Sequence, residues 1–351
     1  MERDDSKALI DEYVGRRARY SEFAWNLQRL IGELCRVDDI ALHASESRAK
    51  EVDSLRGKLE RKQRYSTLQE IPDLCGVRVL TYYSGDVEKV AALLHRELMV
   101  LDRITHGDGT SETFGYASMH LIVQLDPVRR RMTEWRAYSD LKAEVQVRTV
   151  LQHGWATVSH KLDYKAAVEI PSQIRHGLAR AAAFIEAADD SFDKFRNDVA
   201  SLRHEYRTNA AADRWREFPL NLDSLESAWN FLAIDAVESA AESAGFERAG
   251  EGQLSGYRQF LGHLVRAAHS AQLDTIGELN AVMTRADRYI PALANMKQLA
   301  LKAGLTLWII PPDIVHMLLV IEDPRLLTHP DRPLFHQILE SVLRDVAGKS
   351  A

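Results

Sequence analysis

Two carboxylates and a run of bases stand where they could do phosphate chemistry. In "EVQVR", Glu144, Gln146 and Arg148 alternate with Val145 and Val147, so on a strand all three point to one face. Asp73 precedes a second strand-like run, "CGVRVLTYY" (75–83). Paired strands could bring the two acids together, and Mg2+ prefers one or two carboxylates plus phosphate oxygens. Arg48, Lys50, Lys58, Lys62 and Arg78 surround Asp73 in sequence. A polyphosphate held by a metal needs cations on its other oxygens, a task that suits bidentate arginine. Tyr116, in a loop with three glycines, offers a ring for a base to stack on, and His120 shares a strand face with Ser118. Each feature alone has a plainer meaning, as surface acids or a solvated charged helix face.

The elements needed to hold these groups are legible as patterns. Residues 6–43 have helical spacing, with Leu9, Tyr13, Phe23, Leu27, Leu30 and Leu34 as an apolar stripe. The basic run 47–64 predicts a helix starting at Ser54 as N-cap. A strand at 75–83, a helix at 84–98, a long polar loop at 102–116, and strands at 117–125 and 141–148 follow, the last leading into a helix. His153 and His160 share a face of that helix; with no third ligand evident, packing or hydrogen bonding is the expected role. Trp155 and Tyr164 read as core, and "RRR" at 129–131 as a solvated turn with nucleic-acid contact as the alternative. Beyond about residue 170 the pattern is helical, with segments near 222–244, 254–272, 273–303 and 331–347, and a boundary near 205–220. The expected architecture is α+β, a mixed β-sheet flanked by helices over 1–205 (N-terminal helices within 1–45), followed by an all-α domain over 206–351.

Composition narrows the class. The 351 residues are 46% hydrophobic and 27% charged, as in soluble globular proteins. A net charge of −6 argues against a surface that binds nucleic acid throughout, while 45 Lys and Arg leave room for a basic groove. Cys35 and Cys75 form no CxxC pair, which disfavours a thiolate zinc site and suits a reducing compartment. The charged N-terminus has no signal-peptide core, and the apolar stretch 305–321 is broken by Pro311, Pro312 and Asp313. The expectation is a cytoplasmic protein with no membrane contact, residues 305–321 being helical-domain core.

Taken together, "SRAKEVDSLRGK", "DLCGVR", "GYASMH" and "EVQVRTVLQHGWATVSHKLDYK" resemble, in order and spacing, the motifs of the RelA/SpoT alarmone synthetase domain, over roughly residues 20–200. The resemblance implies a nucleotidyltransferase-like fold. It also implies transfer of pyrophosphate from ATP to the ribose 3′-hydroxyl of GDP or GTP, with AMP released. Residue by residue, it implies that Arg48, Lys50 and Lys58 grip the ATP phosphates, with Ser54 the small polar position between them. Asp73 is implied as an Mg2+ ligand and Arg78 as the arginine fixing the adenine nucleotide. Tyr116 is implied to stack on the acceptor base, with His120 near the acceptor phosphates. Glu144 would assist the metal and orient or deprotonate the hydroxyl, and Gln146 and Arg148 complete the acceptor face.

Long bifunctional relatives also carry a hydrolase domain marked by a His-Asp dipeptide; none of the 13 histidines here precedes Asp, and no room for such a domain is expected before residue 20. The chain is expected to make its product without degrading it. One departure stands out. Where the family usually reads Pro-Lys-x-Asn-Gly-Tyr, this chain reads "SETFGY", with Glu112 at the lysine position. Either another base (Arg103, His106 or one of Arg129–Arg131) meets the acceptor's 5′-phosphates, or the acceptor has none; the plainer reading is that the loop simply rearranges. Two alternatives therefore accompany the nucleotide reading: a toxin-type relative that modifies the 3′ end of tRNA, and an inactive module whose helical region binds a protein partner or a second copy.

Overall fold

The computed structural model describes residues 3–62, 65–106, 118–161, 172–250, 257–302, 304, 306–323 and 326. The chain divides into two compact units, Met1–Arg196 and Asn197–Ala351.

The first unit is α+β. Helix α1 (Arg3–Val37) buries Leu9, Tyr13, Tyr20, Phe23, Leu27 and Ile31, the stripe its 3.6-residue period presents. It stops short of the helical span expected up to residue 45. Asp39 takes a left-handed φ of 56°, Ile40 N–H bonds back to the Cys35 carbonyl at 2.8 Å, and Ile40 is buried beneath the turn. That is a helix stop of the Schellman type, with Asp in place of the usual Gly. Strand β1 (Leu42–Ala49) follows, where a helix and a polar run were expected. Its sequence, LHASESRA, has few strand formers, and as an edge strand it needs few.

Helix α2 (Val52–Arg61) has Glu51, not Ser54, at its N-cap; Ser54 lies inside the first turn. Strand β2 (Cys75–Thr81), helix α3 (Ser84–Glu97), strand β3 (Leu98–His106) and strand β4 (Ser118–Leu125) come next. β3 takes up Asp102–His106 of the expected polar loop, and the rest of that loop lies outside the described residues. Strand β5 (Ala143–Thr149) runs directly into helix α4 (Val150–Lys161).

The sheet is mixed, in the order β1-β2-β5-β4-β3 among the described residues. β1 is antiparallel to β2, β2 is parallel to β5, and β4 is antiparallel to both β5 and β3. β5 is the central strand. It buries Ala143, Val145, Val147 and Thr149 and leaves Glu144, Gln146 and Arg148 half-buried, the alternation read from the sequence. The buried face packs with α1 and α3 in one core.

Helix α5 (Ser172–Ala211) contributes residues to both units. The second unit then holds α6 (Leu222–Ala228), α7 (Ile234–Ser243), α8 (Tyr257–Ser270), α9 (Ile276–Met283), α10 (Ile290–Lys302) and α11 (Pro311–Glu322) around its own core. Apart from a two-residue parallel pair, β6 (Glu247–Arg248) with β7 (Trp308–Ile309), its described elements are helical. Pro311 and Pro312 occupy the first turn of α11, where a missing N–H costs nothing. Ile314, Val315, Leu318 and Leu319 are buried in the core, as expected of 305–321. No helix among the described residues is long and apolar enough to cross a membrane. The helix expected at 331–347 lies outside the described residues.

Candidate active site

Strand register decides which side chains meet. Across the sheet, Glu46, Arg78, Gln146 and His120 fall in one row, and Arg48, Gly76 and Glu144 in the next. These rows form the polar face of the four strands. A cleft over them is lined by Arg48, Lys50, Asp73, Gly76, Arg78, Glu144 and Gln146, together with Glu46, Ser47 and Val77.

Asp73 sits between two lysines. Lys50 Nζ donates to Oδ2 at 2.8 Å and Lys58 Nζ to Oδ1 at 2.7 Å. Burial alone would raise the Asp73 carboxyl, but the two lysine hydrogen bonds outweigh it and hold the pKa below the usual range. The loop carrying these groups is pinned from beneath by Tyr13. Its hydroxyl donates to the Lys50 carbonyl at 2.7 Å and the Leu74 carbonyl at 3.2 Å, and burial pushes the phenol up to about 12. Sequence reading had Tyr13 only as part of an apolar stripe.

Glu144 is held from two sides. His120 Nδ1 lies 2.9 Å from Oε1, and Gln146 Nε2 donates to Oε2 at 2.9 Å. Burial works to raise its pKa, yet the His120 contact and the Gln146 hydrogen bond leave it below the usual value. Arg148 Nη2 lies 3.1 Å from His120 Nε2. A guanidinium has no acceptor, so Nε2 must accept and the ring proton sits on Nδ1, aimed at Glu144. Ser118 Oγ, 3.1 Å from Nε2, adds to the same side.

Arg78 pairs with Glu46 at 3.0 Å, a partner the sequence reading did not single out. His153 is also drawn in. It lines a second recess with Arg48, Arg78, Gln146 and Arg148, which places it beside the cleft. Its Nδ1 is buried with no hydrogen-bond partner among the described residues, and burial followed by the Arg78 charge depresses its pKa. The signal was present in "TVLQ". Thr149 Oγ1 accepts from Gln152 N–H at 3.0 Å, and Gln152 Oε1 accepts from Thr149 N–H at 2.8 Å. This reciprocal capping box starts α4 at the end of β5 and swings its first turn over the face. Thr149 also donates to the fully buried Asp189 of α5 at 2.6 Å.

Of the residues selected from the sequence, Arg48, Lys50, Lys58, Asp73, Arg78, His120, Glu144, Gln146 and Arg148 are thus gathered on one face. Ser54 is exposed on α2 and is not among the cleft-lining residues. Tyr116 lies outside the described residues, as do Glu112, Tyr164 and Lys165. Of the bases considered as substitutes for the missing lysine, Arg103 is held by Glu88, Arg129 by Glu97, and Arg130 by Gln124 and the Leu125 carbonyl.

The cleft's donor set bears on whether a divalent ion could bind there. No group of three or more His, Cys, Asp or Glu residues forms a ligand cage among the described residues. Asp73 and Glu144 line the same cleft, and a carboxylate with one donor on each oxygen keeps lone pairs to spare. Two acids without a cage fit an ion that arrives with phosphate oxygens completing its shell.

Residues 47–169 match the family model described as "Region found in RelA / SpoT proteins". That region of the chain is similar to the RelA/SpoT family. The matched region begins within β1 and contains the described cleft groups named above, with Tyr13, Glu46 and Asp189 falling outside it. The chain is similar to the GTP pyrophosphokinase YwaC of Bacillus subtilis, with 29% identity over 161 residues that cover 44% of this chain and 74% of that protein. It is also similar to the GTP pyrophosphokinase YjbM of Bacillus subtilis, at 28% over 155 residues, 43% of this chain and 71% of that one. Among solved structures, the small alarmone synthetase 1 from Bacillus subtilis bound to its product pppGpp aligns at 22% identity and TM-score 0.44, over 54% of this chain and 99% of its own.

Proposed function

We propose that residues 1–205 transfer the β,γ-pyrophosphate of ATP to the ribose 3′-hydroxyl of a guanosine nucleotide, GDP or GTP, making (p)ppGpp. The general class, pyrophosphokinase, follows from the RelA/SpoT region and from two relatives named GTP pyrophosphokinase. One observation carries the chemistry: Asp73 and Glu144 line a single cleft, the first flanked by two lysines and the second by His120 and Gln146.

In this reading Arg48, Lys50 and Lys58 meet the donor phosphates and Arg78 fixes the adenine nucleotide. His120, Gln146, Arg148 and Tyr116 hold the acceptor. Mg2+, bound with the nucleotide and liganded by Asp73 and Glu144, supplies charge neutralisation on the phosphate oxygens. The acceptor oxygen attacks the β-phosphorus, the bond from that phosphorus to the α–β bridging oxygen breaks, and AMP leaves. Positioning and charge compensation dominate such transfers, so the chain needs no nucleophile of its own. Glu144, kept ionised by its neighbours, accepts the hydroxyl's hydrogen bond, aims its lone pair and takes up its proton as the new P–O bond forms, passing it on to solvent. The cations do the rest by offsetting charge.

Incubation with labelled ATP and, separately, GDP, GTP, no acceptor or bulk tRNA tests the assignment. Label in GDP or GTP with matching AMP release is the expected result; no AMP release with any acceptor overturns it. A second reading, the tRNA 3′ end as acceptor, is favoured by Glu112 at the lysine position and by the engagement of Arg103, Arg129 and Arg130 with neighbouring groups. Label confined to tRNA selects it.

A further inference from the structure

Gly76 lies in the interior of β2, paired on both sides, between Arg48 of β1 and Glu144 of β5. Glycine weakens a strand interior relative to alanine, through chain entropy and the lack of a side chain to pack, so its presence needs a cause. The described residues of the fold supply none. The residue is not among the glycines of positive φ, and the register runs through it without a bulge. Among the described residues, a Cβ built at this position meets only the Glu144 carbonyl oxygen, at 3.6 Å, an ordinary contact. Gly277 makes the contrast. There a Cβ would come within 2.7 Å of the Arg216 carbonyl oxygen, so the fold demands glycine.

What remains is the open side. Gly76 forms part of the cleft lining between the Asp73 side and Glu144. Arg48 and Glu144 are two strand spacings apart, about 10 Å. The position between them is the only one of the three without a side chain, so a notch opens in the floor.

We propose that Gly76 is a specificity-determining residue of the nucleotide cleft, whose missing side chain lets a triphosphate lie against the β2 main chain between Arg48 and Glu144. The inference rests on the pyrophosphokinase reading for the identity of the ligand. The notch sets how closely phosphorus can approach the Glu144 side, and a methyl group there lifts the phosphates off the floor. The cations that meet the phosphates are reached from the same row and its neighbours, so the displacement costs affinity as well as rate.

The test uses the full chain as parent, Gly76→Ala and Gly76→Val. Thermal midpoints without ligand are compared with binding of a non-hydrolysable ATP analogue and of inorganic tripolyphosphate, both in Mg2+, and with kcat and KM for ATP. The proposal expects Gly76→Ala to melt at or above the parent while analogue affinity falls at least tenfold, with Gly76→Val weaker still. Gly76→Ala that binds and turns over within twofold of the parent overturns it. So does a midpoint lowered by several degrees in Gly76→Ala, which assigns the glycine to the fold, and so does a parent that binds neither triphosphate. If the parent binds the analogue but releases no AMP with any acceptor, the pyrophosphokinase reading fails and the binding arm still decides the role of Gly76.

Discussion

His120 Nδ1 lies 2.9 Å from Glu144 Oε1, and Arg148 on the far side of the ring leaves the proton on Nδ1, pointing at the acid. Glu144→Gln removes the charge with little change of shape. Turnover should fall about a hundredfold or more, since loss of a group that neutralises or orients at phosphorus costs several kcal/mol. The thermal midpoint should move little. A variant that turns over like the parent at saturating Mg2+ removes Glu144 from the chemistry.

Asp73→Asn should abolish most activity and also lower stability, by roughly 1–3 kcal/mol, because it leaves two largely buried lysines facing a neutral group. The pH dependence has a definite sign. Hydrogen bonds from Lys50 and Lys58 hold the folded carboxyl below its ordinary value, so the unfolded chain binds the proton more readily. That stabilisation is present above about pH 4, the ordinary value for Asp, and is lost as pH falls through the lower folded value. Thermal midpoints of the parent should therefore drop more steeply below pH 4 than those of Asp73→Asn. Parallel curves would show that the lysine contacts contribute nothing to stability.

Tyr116→Ala should weaken acceptor binding by about 1–3 kcal/mol, the worth of stacking a base on an aromatic ring. Tyr116→Phe should be tolerated. Equal loss in both variants, read as KM for the acceptor, would assign the role to the hydroxyl instead.

Glu112→Lys should improve use of GDP or GTP if the parent's acceptor lacks a 5′-polyphosphate, because a carboxylate near those phosphates costs about 1–4 kcal/mol at effective dielectrics from 80 down to 20. A parent that already binds GTP at micromolar concentration and leaves tRNA unlabelled excludes the tRNA reading.

A fragment of residues 1–201 should fold. The buried cluster of the first unit, from Leu9 to Val147, shares no residue with that of the second, from Tyr206 to Leu326, and the fragment keeps Asp189 on Thr149 and Asp193 on Ser84. Circular dichroism and a cooperative melt check this. Insolubility at several nearby end points would mean that the helical unit completes the core, and altered activity in a folded fragment would point to regulation by residues 206–351.

The sequence alone determined the working face of β5, because the two-residue side-chain period is a local property: "EVQVR" can only put its acid, amide and base on one side. The helix stripe of α1 was legible for the same kind of reason, its 3.6-residue period being local as well. Strand β1 was hidden, since LHASESRA has little strand propensity and is held by pairing with β2 rather than by its own residues. Only tertiary structure could set β2 parallel to β5, joining Gly76 to Glu144 across 68 positions of chain, and with it the lysine pair on Asp73, the proton on His120 and the notch at Gly76. Those are relations between strands, and no local period encodes which strand becomes whose neighbour.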